Sequence, residues 1–371
     1  MSFFKNLFSS KDKEFQKAEV LLELKSPSCP ITAIVEQDNR VAYFYLWGNE
    51  NSNFGVKSCW IRNLKEAPNT LEKQLMEKGV PPMLPKQFCK FPNGQEKLNK
   101  EDLKIIWTEE GDAAALLLKD DVIAIIPIWS GDNGFNGYAK DCIGEGNFAW
   151  ELTESNVFIE RIEECKAFWD SWDNEINPFH LQQPKIIDAY DKAFGTHDKY
   201  YAIDGNNWPP KGLYLRQGES QVVFATVGLS IIPMPVIEMY VEDRYKKNRI
   251  ELGLILDSVF SEKVIQQLAE WISGQSTIPW HNVTFLGEGH TIDFPTINST
   301  KFNSVILTNK LDLMPQPELD DYRLSKVNFL WMVPISEKER NEIVNNGSDG
   351  VLEKLRNIGE HVFSLDRQEV I

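Results

Sequence analysis

The stretch Leu311-Asp-Leu-Met-Pro-Gln-Pro-Glu-Leu-Asp-Asp-Tyr-Arg323, followed by Val327-Asn-Phe-Leu-Trp-Met-Val-Pro-Ile335, constrains the fold of this chain more than any other. An apolar run at 304–308 leads into an acidic loop bounded by Pro315 and Pro317. A second apolar run then reaches Ser336-x-x-Glu339, a capping box in which the serine oxygen accepts an orphan helix amide and the glutamate reaches back. Strand, loop, strand and capped helix are thus written consecutively, with no catalytic grouping among them. Such a unit points to a binding protein rather than an enzyme.

At 371 residues the chain exceeds the usual single-domain size, so two domains are expected. Hydrophobic content of 42% against 25% charged residues provides for a buried core throughout. The net charge of −16 disfavours nucleic acid and anionic membrane as partners and favours encounter with a basic protein. Cys29, Cys59, Cys89, Cys142 and Cys165 form an odd set without a C-x-x-C pair, which fits reduced thiols and a cytoplasmic location better than a disulfide framework or zinc site. No run approaches the roughly 18 apolar residues of a membrane span. Phe3, Phe4 and Phe8 are expected to dock on their own domain.

The first half reads as strand-rich. Runs at 31–35 and 41–47 flank a Gln-Asp-Asn turn, and Val41, Tyr43 and Tyr45 alternate onto one face. Three more short runs, at 105–109, 113–119 and 122–128, are joined by tight turns and predict an antiparallel meander. A short helix is expected at 71–78 and a long one at 156–172. In the latter, Phe158, Ile162, Cys165, Trp169 and Trp172 share one face, assigned to packing between domains. The aperiodic 173–184 stretch sets the boundary between a domain at 1–175 and a second at 180–371. That second domain interleaves strands at 221–230, 250–256, 304–308 and 327–333 with helices at 185–194, after Ser261, after Ser336 and after Ser348. The fold class is therefore α+β in two domains, with helices on one side of a sheet in the second.

Candidate chemistry is thin. His281, Glu288 and His290 are close in sequence but lack any metal-binding spacing, and no histidine neighbours a nucleophile elbow. Gly131-Asp-Asn-Gly134-Phe-Asn-Gly137 lacks both phosphate-loop and calcium-loop spacing, and reads as a surface turn. No cofactor or metal is expected. The acidic residues crowded with Tyr322 between two strands are the best candidate contact for Arg or Lys on a partner.

Residues from about 180 onward resemble the suppressor-of-fused domain family. The signals are Val222-Val-Phe-Ala-Thr-Val-Gly-Leu-Ser230, Glu251-Leu-Gly-Leu-Ile255, Val305-Ile-Leu-Thr-Asn309 and Val327–Ile335 with Glu339, then Gly347-Ser-Asp and Leu352-Glu-Lys-Leu355. The resemblance implies a mixed α/β fold and a non-enzymatic role. Animal members of the family grip an extended peptide of a transcription factor, and bacterial members look like immunity proteins that neutralise a toxin, often a nuclease. The first half is left unassigned to a family.

The leading expectation is a bacterial, cytoplasmic immunity-type protein that occludes a basic toxin domain. Glu318, Asp320, Asp321 and Tyr322 are the first candidates for the contact, and Gly228, Leu229, Ser230 and Glu251 the second. The alternative is a peptide-binding adaptor that sequesters an endogenous partner. A third reading, of another class, is a metal-dependent enzyme at His281, Glu288 and His290.

Overall fold

A computed structural model describes residues 18–371 except 51, 206, 258, 298 and 299, so the aromatic residues at positions 3, 4 and 8 lie outside the described residues. The chain divides into two compact units between Trp169 and Asp170. Among the described residues no helix is long and apolar enough to cross a membrane.

The first unit contains β1 (Glu19–Lys25), β2 (Ile31–Gln37), β3 (Val41–Gly48) and β4 (Val56–Asn63), paired in that order into an antiparallel sheet. A single helical turn, α1 (Lys73–Met76), precedes β5 (Leu103–Trp107), β6 (Ala114–Leu118), β7 (Asp121–Ile126), β8 (Tyr138–Ala139) and β9 (Trp150–Glu151), which form a second sheet. β3 and β4 lie against β7, and β4 also against β8. The helix α2 (Val157–Ser171) covers the other side of the second sheet, where Phe158, Ile162 and Cys165 meet Ile106, Ala115, Leu117 and Ile125. This double covering explains why β6 reads Ala-Ala-Leu-Leu-Leu without alternation. Phe158, Ile162 and Cys165 of the predicted apolar face thus pack within the first unit. Phe168 joins that buried face, and Trp169 sits at its margin, its indole N–H donating to the Trp107 carbonyl at 2.9 Å.

The second unit opens with α3 (Pro178–Phe194), which begins inside the stretch read as a boundary. Asn177 caps it by accepting the His180 N–H at 3.1 Å, and Pro178 occupies the first turn, where the missing N–H has no intrahelical partner to lose. Then follow β10 (Lys199–Ala202), β11 (Gly212–Gln217), β12 (Val222–Val227), β13 (Arg249–Leu256), α4 (Glu262–Gln275) and α5 (Ile278–His281). The chain ends with β14 (Thr291–Asp293), β15 (Phe302–Thr308), β16 (Val327–Ser336), α6 (Glu337–Asn346) and α7 (Asp349–Asn357). One sheet of seven strands results, ordered β10-β11-β12-β13-β16-β15-β14, antiparallel except for the parallel β13–β16 pair at its centre. The class is α+β, as the sequence predicts.

Every residue of β12, β13 and β16 is buried, so both faces of this sheet are covered, not one. The runs had to be apolar throughout for that reason. On one face Val223, Ala225, Ile255, Phe329, Trp331 and Val333 pack with Ile186 and Tyr190 of α3 and with Val351, Leu352 and Leu355 of α7. Phe194, Phe329 and Trp331 meet edge-on or tilted at centroid distances of 4.9–5.9 Å. Their crowding leaves no room for a side chain at Gly253, where an added Cβ would stand 2.4 Å from Phe329 Cζ and 2.9 Å from Trp331 Cε3. Gly253→Ala is expected to cost about 1–3 kcal/mol by overpacking, read as a lower urea midpoint. An unchanged midpoint would mean that the two rings can part.

Candidate functional site

The acidic loop is held from below before it displays anything. Leu311 and Met314 are buried in the core, Leu319 packs against it, and the Trp331 indole N–H donates to the Pro315 carbonyl at 3.1 Å. The two prolines restrict the backbone between these anchors. Glu318, Asp320 and Asp321 are left exposed on a fixed rim. Tyr322 and Ser325 close a tight turn through reciprocal backbone hydrogen bonds of 2.8 and 3.0 Å, and Leu324 stands at its tip, 81% exposed.

Across from this rim runs one face of α3. Gln182, Lys185, Ile186, Ala189, Lys192 and Ala193 recur at helical spacing, and with Gln316, Glu318, Leu319, Asp320 and Tyr322 they enclose a cleft of about 490 Å³. Ser230 and Val327 complete the lining, as does Asp188. The Lys192 ammonium donates to Asp188 Oδ2 at 2.5 Å. That bond raises the Lys192 pKa, and Glu318 and Asp320 add to the effect from across the cleft. Asp188 therefore holds this ammonium directly, while Glu318 and Asp320 act on it from a distance and Lys185 adds a second ammonium to the lining.

Beneath the cleft the backbone at 228–231 is gripped from both ends by one strand. Gly228 is in the left-handed region at φ 94°, and an added Cβ would meet the Phe179 ring at 2.7 Å. Glu251 Oε1 accepts from the Gly228 and Ser230 N–H groups at 3.0 Å each and from the Ser230 hydroxyl at 2.7 Å. Its Oε2 accepts from the Thr226 hydroxyl at 2.6 Å. Two residues earlier on β13, Arg249 Nη1 donates to the carbonyls of Ser230 and Ile231 at 2.9 and 2.5 Å, and its guanidinium lies 4.9 Å from the Tyr322 ring centroid. A carboxylate thus holds the amides of the turn while a guanidinium holds its carbonyls. Burial pushes the Glu251 carboxyl up to about 7 against the pull of its four donors.

The two sets of sequence candidates therefore meet, but in different roles. Glu318, Asp320 and Tyr322 line the cleft, while Asp321 is exposed just outside the lining. Ser230 reaches the lining from below. Gly228, Leu229 and Glu251 need correction as contact residues: Glu251 and Leu229 are 0% and 2% exposed, and all three act internally by shaping the turn. Lys185, Asp188 and Lys192 were missed, because only the tertiary fold brings α3 beside the 318–322 loop. Among the described residues no group of three or more His, Cys, Asp or Glu is arranged to hold a metal ion. Glu288 is committed instead to the Thr308 hydroxyl at 2.7 Å and the Asn309 N–H at 2.8 Å, and His290 lies against Phe285.

Residues 209–368, from just before β11 to the C-terminal tail, match the family model for the suppressor of fused protein. Over these residues the chain matches a suppressor-of-fused domain. The acidic loop, the β13–β16 pair and the 228–231 turn all fall inside this domain, whereas α3 precedes the matched residues. Among solved structures the chain is similar to a putative suppressor-of-fused homolog from Neisseria gonorrhoeae FA 1090, at 15% identity and a TM-score of 0.38, covering 52% of this chain and 97% of that one. It is also similar to the Sufu–Fu complex, at 16% identity and a TM-score of 0.38, covering 51% of this chain and 92% of that one. No curated protein matches the chain.

Proposed function

We propose that the chain is a non-enzymatic, cytoplasmic binding protein that neutralises a basic partner by occlusion, as an immunity protein does a toxin domain. The observation that carries this reading is the anchored acidic rim: Glu318, Asp320 and Asp321 stand exposed on a loop fixed by the core, opposite a helix face where Asp188 is already paired with Lys192. A nuclease is the toxin class whose phosphate-binding face would complement it. Five buried, unpaired thiols support a reducing compartment.

The test is co-expression with the product of the neighbouring open reading frame. Co-purification and rescue of its toxicity are expected, and failure of both would remove the immunity reading. Capture of an endogenous housekeeping protein instead would favour a peptide-binding adaptor. With the partner in hand, Glu318→Lys combined with Asp320→Lys is expected to weaken binding about tenfold at low salt, with the gap narrowing as ionic strength rises. The urea midpoint should not change, because both side chains are exposed. Equal affinity at low salt would take the cleft out of the interface.

A further inference from the structure

In the first unit Cys89 and Cys142 stand directly opposite one another in an isolated antiparallel bridge, far apart in sequence. The Lys90 N–H donates to the Asp141 carbonyl at 2.9 Å and the Ile143 N–H to the Phe88 carbonyl at 2.8 Å. These bonds flank the cysteine pair rather than join it, which makes it a non-hydrogen-bonded pair. Opposed residues in such a pair have Cα atoms about 4.5 Å apart and side chains on one face. A disulfide requires a Cα separation of about 4.4–6.8 Å, so the backbone already satisfies the bond. Neither thiol is held by a strong partner: Cys89 Sγ donates to the Leu84 carbonyl at 3.3 Å and accepts from Asn63 Nδ2 at 3.4 Å, and Cys142 Sγ donates to the Ala149 carbonyl at 3.1 Å.

We propose that Cys89 and Cys142 are a latent cross-strand disulfide, a redox latch that ties the segment around 86–90 to the segment around 139–144. The oxidant is a low-molecular-weight disulfide. The Cys89 thiolate attacks one of its sulfurs, forming a mixed disulfide and expelling one small thiolate. The Cys142 thiolate then attacks Cys89 Sγ and expels the second. Both protein protons pass to solvent, and the small disulfide is reduced to two thiols as the pair is oxidised.

Cys89 goes first because it is 4% exposed against 0% for Cys142. Burial pushes Cys89 up to about 12 and Cys142 up to about 11, so both are neutral thiols at ordinary pH. The latch is therefore favoured by geometry but slow to close, and its rate should rise about tenfold per pH unit on the alkaline side of neutrality. Cys59 is the competing thiol near Cys142, but it faces Phe44 on β3 and bonds to the Trp60 and Tyr138 carbonyls.

The test uses the full reduced chain, incubated with oxidised glutathione at pH 7 and at pH 9, quenched in acid, unfolded and alkylated. Two of the five thiols are expected to escape alkylation, with Cys89 and Cys142 in one linked peptide and faster closure at pH 9. Cys89→Ser and Cys142→Ser should each leave every remaining thiol alkylatable. The linked form should unfold at a higher urea midpoint, reversed by dithiothreitol. A link from Cys59 to either partner, or all five thiols alkylated after oxidation at pH 9, would overturn the proposal. If either serine variant fails to fold, the peptide map of the unsubstituted chain still decides.

Discussion

Glu251→Ala is expected to lower stability by about 3–5 kcal/mol, because it strips the acceptor from the buried Gly228 and Ser230 amides and from the Ser230 and Thr226 hydroxyls. Glu251→Gln should cost far less. Its amide oxygen can keep the three donors that now reach Oε1, and its NH₂ can donate to the Thr226 hydroxyl if that hydroxyl turns. The two variants also differ from the parent in pH dependence. The Glu251 carboxyl rises from 4.5 to about 7 on folding, so the folded state binds its proton more tightly than the unfolded state. The contribution of this group is then fully present below about pH 4.5 and is lost as pH rises towards 7. Both variants should lack that portion of the slope in urea midpoints measured across this window. A parent profile no steeper than that of Glu251→Gln would show that the carboxyl titrates normally. If the midpoint of Glu251→Ala fell by less than about 1 kcal/mol equivalent, the turn would have another support.

The second large effect is expected at the C-terminal tail. Arg367 places Nη1 and Nη2 at 2.8 and 2.9 Å from the two oxygens of Glu339, with side chains 2% and 0% exposed. Glu339 also accepts from the Ser336 and Val370 amides at 2.8 Å each, so the capping residue of α6 doubles as the anchor of the tail. The guanidinium donates further to the Pro334 carbonyl at 2.9 Å and lies 4.2 Å from the Phe302 ring centroid. Arg367→Ala leaves a buried carboxylate without its counter-ion and should cost about 3–5 kcal/mol. Pairing Arg367→Met with Glu339→Gln should recover part of that loss, since no buried charge is then left alone. Urea unfolding of the single and double variants measures it. A double variant no better than the single one would mean that the hydrogen bonds, rather than the unpaired charge, set the cost.

The capping box shows how far a sequence reading reaches. Ser336-x-x-Glu339 predicts a helix start, and both reciprocal bonds are present in the structure. The same four letters give no hint that Glu339 binds an arginine near the chain end, because that contact joins residues 28 positions apart. The strands at 31–37, 41–48 and 327–336 were legible from apolar runs and turn residues. β10 and β11 were not, lying in a stretch whose mixed tyrosines, glycine and charges carry no clear period. Pro184 hid the first turns of α3, since a proline signals a break unless packing holds the helix around it.

The acidic loop was visible as a site candidate because charge, proline and an aromatic crowd one connection between strands. The Gly228–Glu251 group was visible as a motif but misread as surface. Polar letters in an apolar run look alike whether they face a partner or an internal turn, and only burial tells them apart.

The sequence alone determined which segments are strands and helices over much of the chain, that the class is α+β, and that the second half resembles the suppressor-of-fused family. Those properties follow from local periodicity, caps and the order of short motifs. The tertiary structure decided which charges are available. It set Glu318 and Asp320 against α3 across a cleft, and it enclosed Glu251 beneath them. The reason is that solvent exposure depends on what the rest of the chain places on top of a residue, and no local pattern carries that information.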